Sequence, residues 1–169
     1  MTKSIKIIVA IVLLSTGFLY AQAPKFGHVN STQLLSMMPE TKAADSALQK
    51  FGSSLENQLK TMNAEYESKV SDYKEKQGSM ADPIAKAKEK EISDLGDRIQ
   101  EFQQSAQSSV QKKKEELYQP IIKKAEDAIH TVGKEKAYTY IFDSGVGVLL
   151  YFQDSDDIMS LVKAKLGLK

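Results

Sequence analysis

The chain has no cysteine and no tryptophan, and only four prolines and two histidines in 169 residues. Without cysteine there is no disulfide framework, no zinc–thiolate site and no thiol nucleophile. The histidines, His28 and His130, lie far apart, and neither has a second histidine at ligand spacing. Structural roles for both are therefore expected ahead of metal binding. No Walker sequence, GxSxG elbow or GxGxxG loop occurs. Carboxylates are plentiful, but they fall on polar, solvated helix faces. The sequence thus offers no catalytic residue, cofactor site or metal site, and the expectation is a protein that is not an enzyme.

An excess of one charge is also missing, with 23 Lys+Arg against 22 Asp+Glu. Leaving out Lys3 and Lys6 gives 21 against 22, far from the basic footprint of a nucleic-acid binder. Long hydrophobic runs are absent too. The longest mainly apolar stretch, Ile7 to Leu19, has thirteen residues, short of the about 20 that a membrane-spanning helix needs. Lys3 and Lys6 precede it and Tyr20-Ala21-Gln22-Ala23 closes it, the pattern of a secretory signal peptide. Residues 1–21 are expected to be removed, with cleavage after Ala23 as the alternative. No cysteine follows, so a lipid anchor is not expected. The mature chain is read as exported and soluble.

What the sequence does have is helical periodicity. From Ala44 the less polar residues recur at Leu48, Phe51, Leu55, Leu59, Met62, Tyr66, Val70 and Tyr73. The spacing repeats every eleven residues, which predicts a nearly straight or slightly right-handed pairing. Gly78 to Pro83 interrupts the stripe: Gly78 suits a left-handed helix end, Asp82 an N-cap and Pro83 a first helical residue. A second stripe follows in Ile84, Ile92, Leu95, Ile99, Phe102, Ala106, Val110, Leu117 and Ile121. Two matching stripes joined by a short tip predict an antiparallel helical hairpin about 50 Å long. Phe51, Met62, Tyr66, Tyr73 and Phe102 belong first to its packing, with contact to a bound chain as the second reading. Met80 at the tip is a flexible side chain suited to such contact, although an ordinary exposed methionine is the plainer reading.

The two ends of the chain switch period. Residues 25–30 read as a strand, and Asn30 or Ser31 caps a short helix. Pro120 is expected to kink or restart the second long helix, which continues to about Lys136. Residues 138–142 and 146–152 read as two strands joined into a hairpin by Asp143-Ser144-Gly145. Asp154 or Ser155 then caps a last helix ending at Gly167. The fold class is α+β and mainly helical: a long hairpin arm (residues 44–118, tip 78–83) on a small β-containing body (22–43 and 119–169). So small a core, without disulfides or metal, calls for self-association.

Four stretches carry a resemblance. They are Phe26-Gly27-His28-Val29-Asn30, Met38-Pro39-Glu40-Thr41-Lys42-Ala43, Pro120-Ile121-Ile122-Lys123-Lys124-Ala125, and an ending of Tyr138 to Asp143, Gly147-Val148-Leu149-Leu150-Tyr151 and Asp157-Ile158. Over essentially its whole mature length the chain resembles the Skp/OmpH family of periplasmic chaperones. The resemblance implies a periplasmic homotrimer whose body strands form an intersubunit β-barrel, a trimerisation body to which Phe26, Val29, Ile141, Val148 and Leu150 would contribute. It implies a cavity between three arms in which unfolded outer-membrane β-barrel proteins are held without ATP, an unfolded-protein holdase for outer-membrane protein assembly. The alternative is a structural coiled-coil envelope protein docking a fixed partner. Family tips are often basic, whereas residues 67–91 hold six lysines against six acidic residues. Lipopolysaccharide or membrane-surface contact is weakly supported on that account.

Overall fold

The computed structural model describes residues 23–168. The signal-peptide reading of residues 1–21 lies outside them. The chain opens with strand β1 (Phe26–Val29), whose second residue must be glycine. A Cβ on Gly27 would stand 2.9 Å from the Tyr138 ring and 3.0 Å from Ile158 Cγ2. Helix α1 (Ser31–Met37) follows, capped as expected by Asn30, whose Oδ1 accepts from the Gln33 amide at 2.9 Å. Met38 is extended, as a residue preceding proline should be, and Pro39 opens α2 (Pro39–Lys76).

At the tip the backbone differs from expectation. Helix α2 ends at Lys76, a 3-10 turn spans Gln77–Ser79, and Gly78 does not take a left-handed conformation. Tightening the last turn to 3-10 geometry satisfies the terminal carbonyls without one. Helix α3 (Asp82–Glu135) begins one residue early, with Ala81 as N-cap and Asp82 in the first turn. There its carboxylate faces the positive end of the helix dipole.

Helix α3 runs unbroken through Pro120, where a kink or restart was expected. Leu117, Pro120 and Ile121 border a groove against the small Ala43, Ala44 and Ala47 of α2. The last part of α3 leaves the arm and forms the spine of the body. Ile121, Ala125, Ala128 and Val132 meet Val29, Leu34, Met38, Ala44, Ile158 and Val162 in one buried cluster. Leu34, Met38, Ile158 and Val162 are fully buried.

Strand β2 (Tyr140–Asp143) pairs with β1 in parallel, Phe26 opposite Tyr140 through Val29 opposite Asp143. The whole arm is therefore a crossover connection between neighbouring strands. The expected hairpin of residues 138–142 with 146–152 is not formed. The Ser144 amide donates to Val29 O, prolonging the ladder beyond β2 instead of reversing the chain. The Asp143 carboxylate accepts from the Gly145 and Ser31 amides, which fixes that course. Residues 145–153 carry no strand of their own.

A 3-10 turn (Asp154–Asp156) leads to α4 (Met159–Leu166). Neither Asp154 nor Ser155 caps that helix. Ile158 is the N-cap, and the Asp157 carboxylate accepts from the Met159 amide at 2.7 Å. Gly167, in left-handed conformation, ends it as expected. Among the described residues no helix is long and apolar enough to cross a membrane.

One residue sits badly by intrinsic preference. Ala137, just past the end of α3, has φ 53° while the Ala137 and Tyr138 amides cap the carbonyls of Lys134 and Gly133. Glycine takes this conformation without the Cβ penalty. Ala137→Gly is expected to stabilise the protein by about 1 kcal/mol, read as a higher urea midpoint at fixed protomer concentration. An unchanged or lower midpoint contradicts this account of the cap.

Candidate functional site

The two-stranded ribbon is spent on one face only. Its inner face carries Gly27, Val29, Ile141 and Asp143. Val29 is buried, and Ile141 Cδ1 lies so near α3 that a Cβ on Gly133 would be 3.1 Å away. The outer face carries Phe26, His28, Tyr140 and Phe142. The three aromatic rings lie 6.0–6.2 Å apart, centroid to centroid, and all are exposed. Next to them runs Val146 to Phe152, with Val148 75%, Leu150 99% and Tyr151 81% exposed. Clustered exposed apolar side chains of this kind mark an interaction site.

His28 ties the two parts together. It is buried, its ring lies 4.2 Å from that of Phe152, and Nε2 is 3.0 Å from Gln153 O. A carbonyl only accepts, so Nε2 carries the proton and donates. Nδ1 is buried without a partner among the described residues. The structural role expected of His28 is what its geometry shows: it pins the end of the apolar segment against β1. His130 lies on the exposed side of α3. Among the described residues no group of three or more His, Cys, Asp or Glu could hold a metal ion.

The sequence-derived body residues do not form one cluster. Phe26, Val148 and Leu150 present apolar surface. Val29 is consumed in the protomer's own core and Ile141 is half-buried against α3, so the Val29 side chain has nothing to offer a partner. Tyr140, Phe142, Tyr151 and Phe152 were passed over in the sequence. Tyr140 and Phe142 alternate with Ile141 and Asp143, a period-two signal that marks the outer face of a strand.

The arm residues occupy the seam between α2 and α3. Phe51, Met62, Tyr66, Tyr73 and Phe102 are all half-buried. Met80 is half-buried too, rather than a plainly exposed tip residue, while Ile84 beside it is 55% exposed. Polar links between the helices stand toward both ends. Lys69 pairs with Glu91, and the Tyr73 hydroxyl donates to Glu89, on the tip side. Tyr118 donates to Asp45, and Lys124 pairs with Glu40, at the root. Each is solvent-exposed and contributes little energy, so their effect is on register. The hydrogen bond from Lys124 holds the Glu40 carboxyl below the ordinary carboxylate value, and the bond to Asp45 raises the Tyr118 hydroxyl.

A self-contained two-helix arm on a small α+β body with uncovered apolar surface defines a helical-hairpin protein. The family model described as outer membrane protein (OmpH-like) matches residues 25–166, and the chain belongs to that family. Its fold is shared with the crystal structure of an OmpH-like protein from Caulobacter crescentus CB15, described there as a candidate outer membrane chaperone. The TM-score is 0.75 at 14% identity, over 89% of this chain and 88% of that one. A comparison with curated proteins finds no match.

Asp143 joins the ribbon to α1 and is the body's pH-sensitive group. Burial pushes its carboxyl up, but the Ser31 hydroxyl and the Gly145 and Ser31 amides outweigh burial and hold it below the ordinary value. A depressed carboxyl contributes stability that is present above its unfolded value, about pH 4, and is lost as pH falls through the folded one. Asp143→Asn is expected to be less stable than the parent at pH 7 and to lose less of its remaining stability on acidification, measured by urea melts from pH 7 to pH 3. Parallel acid profiles for the two proteins contradict this.

Proposed function

We propose that the chain is an exported, ATP-independent holdase chaperone of the periplasm. It assembles as a homotrimer through its body and holds unfolded outer-membrane β-barrel proteins between three arms. The observation that carries the reading is how apolar surface is distributed. The arm spends its stripe on its own hairpin, whereas the body leaves Phe26, Tyr140, Phe142 and Val146 to Phe152 uncovered. Other copies of the chain are the natural cover, since burying one such side chain stabilises by about 1.5–3 kcal/mol.

Membership of the OmpH-like family and the fold shared with the Caulobacter crescentus protein support the chaperone role. Three rigid arms of about 50 Å would confine a client chain without contributing a single deep pocket. Many shallow contacts suit a binder that releases without nucleotide hydrolysis, because each can be exchanged as the client folds elsewhere. Binding rather than catalysis is the whole of the proposed activity.

The direct test dilutes an outer-membrane barrel protein out of urea into the mature chain while mass and turbidity are followed. The expected result is a soluble complex of three protomers with one client and no precipitate. A defined oligomer that lets the client precipitate contradicts the holdase and favours a structural envelope rod. In the same assay Leu150→Asp, a charge at a fully exposed position of the uncovered segment, is expected to leave the protomer folded yet reduce its mass to that of one chain. A normal trimer from this variant removes Leu150 from the interface.

A further inference from the structure

The middle of the arm differs in chemistry from the rest of the molecule. Ten consecutive residues of α3, Phe102 to Gln111, carry no charge, in a chain of which 27% is Asp, Glu, Lys or Arg. Opposite them on α2, residues 51–59 carry a single charge, Glu56. Glutamine, serine and asparagine replace the lysines and carboxylates of both flanks. Among the described residues no hydrogen bond or ion pair crosses from α2 to α3 between the root link at Asp45 and the tip link at Lys69.

This neutral belt contains an open groove of about 640 Å³. Its floor is Leu55, Leu59, Phe102, Ala106 and Val110, Gln103 and Gln107 line it with side-chain amides, and Glu56 is its one charged residue. Gly52 borders it, and a Cβ built there meets nothing within 4 Å, so the space above Gly52 is open. Here small residues, Gly52 and Ala106, leave the seam wider than large side chains would.

We infer that this groove is a docking site for an extended, uncharged apolar segment of an unfolded barrel protein, an inference that rests on the holdase reading. The charge pattern selects the occupant. A groove meant for an acidic or basic partner would be rimmed with several charges of the opposite sign, and this one keeps only Glu56 of the dense charge above and below it. Strands destined for the outer membrane alternate apolar and polar residues and keep charge off the lipid-facing side. An apolar row fits the floor, and amide side chains, each both donor and acceptor, can meet the unpaired backbone N–H and C=O groups of an extended chain. Recognition with a single charge, Glu56, at the groove also suits a binder of many sequences, because little on it rejects a client.

Gly52→Glu tests this, with Gly78→Glu as the control. Both positions are open to a side chain, but Gly78 lies at the tip. Replacing a helical glycine is expected to raise rather than lower the thermal midpoint of Gly52→Glu. Affinity is measured with a fluorescently labelled, urea-unfolded outer-membrane barrel protein, and assembly by light scattering. Gly52→Glu is expected to weaken client binding about tenfold, the scale of one apolar group shut out of a pocket, with Gly78→Glu and the assembly mass unchanged. Client binding equal to the parent's overturns the groove while leaving the holdase reading intact. A changed assembly mass shows that a second copy covers the groove, which also overturns the inference. A parent chain that binds no barrel protein overturns the holdase reading and the groove together.

Discussion

The need to cover the outer face of a two-stranded ribbon governs this molecule. Strands β1 and β2 meet only because the arm, folded back on itself, returns the chain to its starting point. Once paired, they bury Val29 on one side and display Phe26, Tyr140 and Phe142 on the other. The body holds ten buried apolar residues in its central cluster, several of them alanines, which leaves little with which to wrap a second face. A chain that placed more residues in the body could have capped the ribbon with a helix. This one commits most of its length to α2 and α3, and the outer face of the ribbon is left uncovered within the protomer.

The arm follows a different economy. Its seam is one residue wide on each helix, and apart from the buried Ala44, Leu95 and Ile99 and the exposed Ile84 its apolar stripe residues are half-buried. Each half-buried side chain contributes about 1 kcal/mol, so a long seam is required before the hairpin holds. Links near the root and toward the tip fix which turn of α2 faces which turn of α3, and the uncharged centre is joined by packing alone. The arm is thus registered at its ends, with an open, largely apolar groove in the middle. That arrangement fits contact with a guest chain at mid-arm and attachment to the body at the root.

Much of this was legible in the sequence, and the failures share a cause. The arm was readable because periodicity is a local property: all nine stripe residues from Ala44 to Tyr73 are buried or half-buried. The Asn30 cap and the Gly167 stop were likewise local and correct. At Pro120 the expected restart does not occur, and the residues across its groove, Ala43, Ala44 and Ala47, lie more than seventy positions away. Residues 138–152 misled because strand pairing is not a local property. Aromatic and β-branched composition showed that strands were wanted there, but not that β2 would pair in parallel with β1. The Asp143 link to Ser31, which directs the chain away from a hairpin, spans 112 positions. Val29 was read as a residue of the body, and tertiary packing places its side chain in the protomer's own core.

If copies of the chain complete the body, the backbone of Val146 to Phe152 must be paired in the assembled protein although it forms no strand within one protomer. Amide hydrogen exchange of that segment, followed by mass spectrometry over a dilution series, reads this directly. The account predicts slow exchange at concentrations where the protein is assembled, with protection lost as it dissociates. Rapid exchange at every concentration, while the buried part of α3 from Ile121 to Val132 stays protected, would contradict it.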